Sequence, residues 1–170
     1  MRIRLSGRGP LGLVGSAGDP EIDHGWDSFA RYAELRIEAD AQGALPHHRA
    51  EDFALALGRA LRVSLGDRPR RRLGEATVPM EETLVQVVVD LADRPYYESD
   101  LDRRSMADHV LRSLAFEGRF TLHQRTIRPG EIHHLHEATF KALGRAWAAA
   151  AEPAARALSP KGRVRWRSRR

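Results

Sequence analysis

The chain has 170 residues, 42% apolar and 30% charged, enough for one domain or two closely joined halves around a core. No apolar run approaches the ~18 residues of a membrane span. The opening MRIRLSGRGP lacks the apolar stretch of a signal peptide, and the absence of cysteine removes disulfides and thiolate metal sites, so a cytoplasmic protein is expected. The net charge of +5 is local: the last ten residues, KGRVRWRSRR, carry six positive charges and no acid, and taking six from +5 leaves −1 for the body. Such a tail can release counterions from a polyanion. A solvated terminus is the plainer reading, and neither nucleic acid nor membrane is an expected partner.

In chain order, MRIRL (1–5) and LGLV (11–14) predict an opening hairpin. Asp27 to Ala33 predicts an amphipathic helix, with His24 just ahead of it. ELRIEAD (Glu34 to Asp40) alternates like a half-buried strand, and AQGALP (41–46) is a turn by its Gly and Pro. HHRAEDFALALGRAL (His47 to Leu61) is rich in the helix formers Ala, Leu and Arg. Arg68, Arg70, Arg71 and Arg72 follow in a Pro-Gly-flanked loop. TLVQVVVDL (Thr83 to Leu91) is β-branched and predicts a central strand. Met106 to Phe116 predicts a helix, RFTLHQR (Arg119 to Arg125) a strand and RPGEI (128–132) a turn. HHLHEATFKALGRAW (His133 to Trp147) predicts the last helix.

The two His-His windows agree at eight of fifteen positions: both histidines, the glutamate, and Ala, Leu, Gly, Arg, Ala. An Asp-His pair stands upstream of each, with His24 preceding His47 by 23 residues and His109 preceding His133 by 24. The chain therefore reads as a duplicated helix–strand–turn–helix unit. The first half is expected over 1–75, the second over 76–158, and a basic tail over 159–170. The fold class is an α/β (α+β) sandwich of two similar halves, each a mainly antiparallel sheet with helices on one face.

Residues i and i+4 of a helix share a face, so His47 converges with Glu51 and His133 with Glu137. His48 and His134 lie about 100° round the axis and cannot easily clasp the same ion as their neighbours. Two ions follow, each taking a His/Glu pair from one motif and the second histidine of the other, between halves or between subunits. Such donors suit a first-row divalent ion: tetrahedral zinc, or six-coordinate manganese or iron with two open positions. His24 and His123 are the candidate third imidazoles. His109, as a duplicated relic, and His136 are read as surface or hydrogen-bonded residues.

The doubled His-His-x-x-Glu resembles that of the imidazoleglycerol-phosphate dehydratases. The likeness runs from about Ile22 to Gly162, through VPMEETLVQVVVDLADRPYY (from Val78), TLHQR and SPKG. The resemblance implies a fold like the second domain of ribosomal protein S5 and a homo-oligomer of 24 subunits built from trimers, with sites at subunit boundaries. It implies a hydro-lyase that turns imidazole glycerol phosphate, a small phosphorylated substrate, into imidazole acetol phosphate in histidine biosynthesis. Two manganese ions per site, or iron or zinc, would act as Lewis acids and template on the substrate imidazolate. One would take His24, His47, Glu51 and His134, the other His48, His123, His133 and Glu137. Glu51, Glu137, His48 and His134 are the catalytic candidates. Arg72, Arg94, Lys141, Ser159 and Lys161 would hold phosphate.

Three departures stand beside the likeness. The family's opening Thr-x-Glu-Thr-like element, whose glutamate contacts substrate, has no match in MRIRLSGRGPLG. Its Asp-His-Met-Leu reads Asp23-His24-Gly25-Trp26, and Pro160 replaces the threonine before the late lysine. They give the second reading: a catalytically impaired paralogue, a metal-stabilised oligomeric binding or structural protein.

Overall fold

The computed structural model describes residues 2–7, 9–40, 45–66 and 68–156. Ser159, Lys161 and the expected tail 159–170 lie outside them. The predicted opening hairpin does not form. β1 (Arg2–Ser6) and β2 (Gly12–Val14) both pair with β3 (Arg36–Asp40), β1 antiparallel and β2 parallel, and not with each other. Leu5 and Leu13 both sit opposite Ile37, which is fully buried. Placing β3 centrally puts these three apolar side chains in one row against the helices, which a β1–β2 hairpin would not do.

α1 (Pro20–Tyr32) starts well upstream of its predicted beginning. Asp19 is extended and its carboxylate accepts the N–H groups of Glu21 and Ile22, with Pro20 at the first helical position. His24 therefore stands inside the helix. Gly25 beside it is a packing requirement: a Cβ there would lie 2.6 Å from the Phe140 ring. α2 (Pro46–Leu65) carries the first motif.

The second half repeats the plan with one more strand. β4 (Leu73–Met80) and β5 (Thr83–Asp90) form a hairpin, and β6 (Tyr96–Glu98), α3 (Met106–Gly118), β7 (Thr121–Arg128) and α4 (Ile132–Ala151) follow. The sheet order is β4-β5-β7-β6, with β6 parallel to β7 as β2 is to β3. β5 is central, as predicted, and buries Thr83, Val85, Val87 and Val89 on one face. β4 belongs to this sheet throughout, so residue 75 falls inside a strand.

The helices lie between the two sheets. The first sheet packs on α1 and α2, α4 packs on β4 and β5, and the two helical layers meet as α1 on α4 and α2 on α3. Trp26, Phe53 and Phe140 join in the middle, with Trp26 ring centroids 4.9 Å from Phe140 and 5.6 Å from Phe53. Each helix crossing is made at the glycine shared by the two windows. A Cβ on Gly144 would stand 2.6 Å from the Phe29 carbonyl oxygen of α1, and one on Gly58 2.7 Å from that of Leu114 in α3. The repeated Ala-Leu-Gly-Arg-Ala is thus a close-approach signature. No described helix is long and apolar enough to cross a membrane.

Candidate active site

These two crossings bring the histidines together. Where α1 meets α4, His24 Nε2 lies 3.1 Å and His133 Nε2 3.4 Å from Glu137 Oε2. The two rings stack at 5.6 Å. Where α3 meets α2, His109 Nε2 lies 3.5 Å from Glu51 Oε2 and its ring stacks on His47 at 5.1 Å. Each set of three offers ligand atoms within 4.8 Å of one another, a little more than the ~4.2 Å that at most separates two atoms bonded at ~2.1 Å to one ion, so a small inward turn of the side chains would let them share it. His109 Nε2 adds a specific sign of fit. It is shut off from solvent and has no hydrogen-bond partner, the state of a nitrogen shaped to meet a metal.

These triads differ from the expected sets. His47 and Glu51 meet His109, not His24, and His24 meets His133 and Glu137. The cause is topological: α1 packs on α4 and α3 on α2, so each Asp-His histidine reaches the motif of the other half. The aspartate of each pair ties its helix to the preceding loop. Asp23 accepts from Ser16 Oγ at 2.6 Å and from the Ala17 N–H. Asp108 accepts from Tyr97 Oη at 2.9 Å and from Ser99 Oγ. His109 is the ligand candidate that sequence reasoning set aside. The matched offsets of 23 and 24 residues were its signal.

His123 is not brought to either triad. On β7 it alternates with buried Leu122 and Gln124, so it points to the outer face of the sheet, away from both motif helices, beside Tyr96 at 5.3 Å. His136 is hydrogen-bonded to Glu21 at 2.6 Å. His48 is exposed and touches only the His47 ring among the described residues. His134 sits against Glu82, whose two oxygens both lie 3.1 Å from its Nδ1. The Glu131 N–H, then Glu82's own N–H and His134, hold the Glu82 carboxyl down at about 2, and Glu82 in turn raises the His134 pKa.

Glu137 has a further partner, Lys141 Nζ at 2.7 Å from its Oε1. Burial pushes this carboxyl up, but the contacts to Lys141 and His24 outweigh it and leave Glu137 below its usual value. The two arginine candidates stand elsewhere. Arg72 forks onto Asp90, at 2.6 and 2.9 Å, and Arg94 reaches the same carboxylate at 3.5 Å while 70% exposed. Asp90 ends β5, whereas Thr83, at its start, adjoins Glu82 near the beginning of α4. An eight-residue strand is on the order of 20 Å long, so one chain does not bring Arg72 and Arg94 to its own α4 triad. Arg72 also borders a cleft of about 930 Å³ that includes Arg59, Arg62 and Arg119, and no triad residue lines that cleft.

A family model described as imidazoleglycerol-phosphate dehydratase matches residues 18–147. Among curated proteins of that name, the one from Nocardioides sp. is 41% identical over 152 residues, 78% of this chain and 75% of the relative. One from Thermus thermophilus is 38% identical over 161 residues, 86% and 83% of the two chains. Two solved structures share the fold with a TM-score of 0.81 each. The Staphylococcus aureus imidazoleglycerol-phosphate dehydratase is 29% identical, covering 89% of this chain and 93% of its own. The Pyrococcus furiosus protein, in complex with (S)-C348, is 32% identical over 95% of both.

Proposed function

The chain belongs to the imidazoleglycerol-phosphate dehydratase family, and we propose that it removes water from imidazole glycerol phosphate to give imidazole acetol phosphate, a cytoplasmic step of histidine biosynthesis. The observation that carries the reading is the pair of cross-half His/His/Glu triads. One ion is assigned His24, His133 and Glu137, the other His47, Glu51 and His109. The fourth ligands are His48 for the first and His134 for the second, each given by a neighbouring copy. Each is turned about 100° from the triad histidine next to it on the helix, so neither reaches its own chain's ion. This assignment gives the place expected for His123 to His109.

Three imidazoles and one carboxylate leave a six-coordinate ion two positions for substrate and water, which favours manganese over a closed four-ligand zinc site. The bound ions supply Lewis-acid stabilisation of the substrate imidazole in its anionic form. Glu51 and Glu137 serve first as ligands. A carboxylate that ligates an ion is a poorer acceptor for a carbon-bound proton. Lys141 adds a positive charge beside that triad, suited to the substrate phosphate. Arg72 and Arg94 are assigned to the phosphate of a neighbouring copy's substrate, since they lie a strand's length from their own chain's α4 triad. Both needs, a fourth ligand and remote arginines, support sites at subunit boundaries in the proposed 24-subunit assembly of trimers. Ser159 and Lys161 are assigned to the same phosphate by motif position alone.

The test is turnover. Loaded with manganese to about two ions per chain by elemental analysis, the protein should convert imidazole glycerol phosphate to the acetol product, and a chelator should abolish both. Ions bound with no product at saturating substrate would give the protein to the non-catalytic reading. Arg94→Ala is expected to raise KM about tenfold, ~1.4 kcal/mol of uniform binding, with kcat nearly unchanged. The loose 3.5 Å contact with Asp90 leaves this guanidinium available. Steady-state kinetics checks it, and an unchanged KM removes Arg94 from the phosphate site.

A further inference from the structure

We propose that Glu82 is a positioning residue that presets His134 as the ligand given to a neighbouring copy. The inference rests on the assignment of His134 above. Glu82 follows Glu81, which turns the β4–β5 hairpin with φ +48°. Its Oε1 accepts the Glu131 N–H at 2.7 Å, and its two oxygens embrace His134 Nδ1. Glu131, at the start of α4, caps the helix with no side-chain bond of its own, so the carboxylate brought from the hairpin stands in that place, where negative charge is favoured. Gly130 is the room this takes: a Cβ there would run into Glu82 Oε1 and Thr83 Oγ1.

The consequence lies in the ring of His134. A carboxylate accepting from Nδ1 fixes the tautomer with its proton on Nδ1, leaving the lone pair on Nε2 to meet an ion. The charged group nearest that nitrogen is Glu131 Oε2, 3.9 Å away on a 70% exposed side chain, too far for a hydrogen bond. His48, the matching histidine of the first motif, has no carboxylate on its ring among the described residues. Among the described residues, then, the duplication is not symmetric: the His134 ring is held in advance by a carboxylate and the His48 ring is not.

A manganese titration of the whole protein reads this directly, using the six-line magnetic resonance signal of free aqueous Mn²⁺. The unmodified protein should bind two ions per chain. In Glu82→Ala one ion should bind unchanged and the other about 10- to 100-fold more weakly, the usual loss when an outer carboxylate is removed. Glu82→Gln keeps an acceptor for the Nδ1 proton and should bind within a few-fold of the unmodified protein. Two ions bound at full affinity by Glu82→Ala overturn the proposal. So do two ions weakened equally with a lowered thermal midpoint, which makes Glu82 a helix cap only, and so does a Glu82→Gln that fails to rescue. An unmodified protein that binds fewer than two ions overturns the ligand assignment as well, which separates the two failures.

Discussion

His133→Ala should lower turnover on the order of a thousandfold, the scale seen when a group stabilising charge in a transition state is removed, and should cost one of the two ions. His133 sits 3.4 Å from Glu137 and stacks on His24, so its loss leaves the chain's own triad two donors where three stood. The His47/Glu51/His109 triad shares no donor with it and should keep its ion. The useful comparison is His123→Ala. On the outer face of the second sheet, beside Tyr96, this residue is expected to leave ion count and turnover unchanged. Elemental analysis and steady-state kinetics on the two variants decide the matter: loss of an ion in His123→Ala, or retention of both in His133→Ala, reverses the assignment.

Gly144→Leu should destabilise the protein by about 2 kcal/mol and impair the triad of His24. Two effects oppose. Leucine favours helix over glycine by roughly 1 kcal/mol. Overpacking typically costs about 1–3 kcal/mol, and here the atoms in the way include rigid backbone: the Phe29 carbonyl oxygen at 2.6 Å and the Ala33 nitrogen at 3.0 Å, with Tyr32 Cβ at 2.8 Å. Clash against backbone takes the top of that range, so it wins. The shift moves α1 off α4 and carries His24 from Glu137. Gly58→Leu should do the same to His109 and Glu51 through the Leu114 carbonyl oxygen. Urea midpoints measure the first effect and manganese stoichiometry the second; a midpoint at or above that of the unmodified chain would show that the crossing can yield.

Much of this architecture is legible in the residues. The duplicated windows give the two motif helices and the i, i+4 pairs, because helical spacing is a local property. The unread parts are non-local. That α1 crosses α4 rather than α2 depends on Gly144, Phe140 and Trp26 meeting across more than a hundred residues of sequence, and this choice swaps the partners of His24 and His109. The same holds for β1 and β2, whose shared partner β3 follows an intervening helix. Two further features were readable. Asp19-Pro20 is a helix start that apolar spacing alone overlooks. In Thr-Leu-His-Gln-Arg, alternation puts His123 on the face opposite Leu122, away from the core.

Each triad borrows from both halves of the chain, α1 with α4 and α2 with α3. An ion bound there recognises only the docked pair of halves, so mass action ties metal supply to folding. At a free ion concentration a hundred times its dissociation constant, each site adds about 2.7 kcal/mol to the native state. That is a sizeable share of the roughly 5–15 kcal/mol by which a protein is ordinarily stable. A cell short of the metal would therefore lose more than a catalyst's reactive centre: the same shortage would loosen the protein and expose it to degradation.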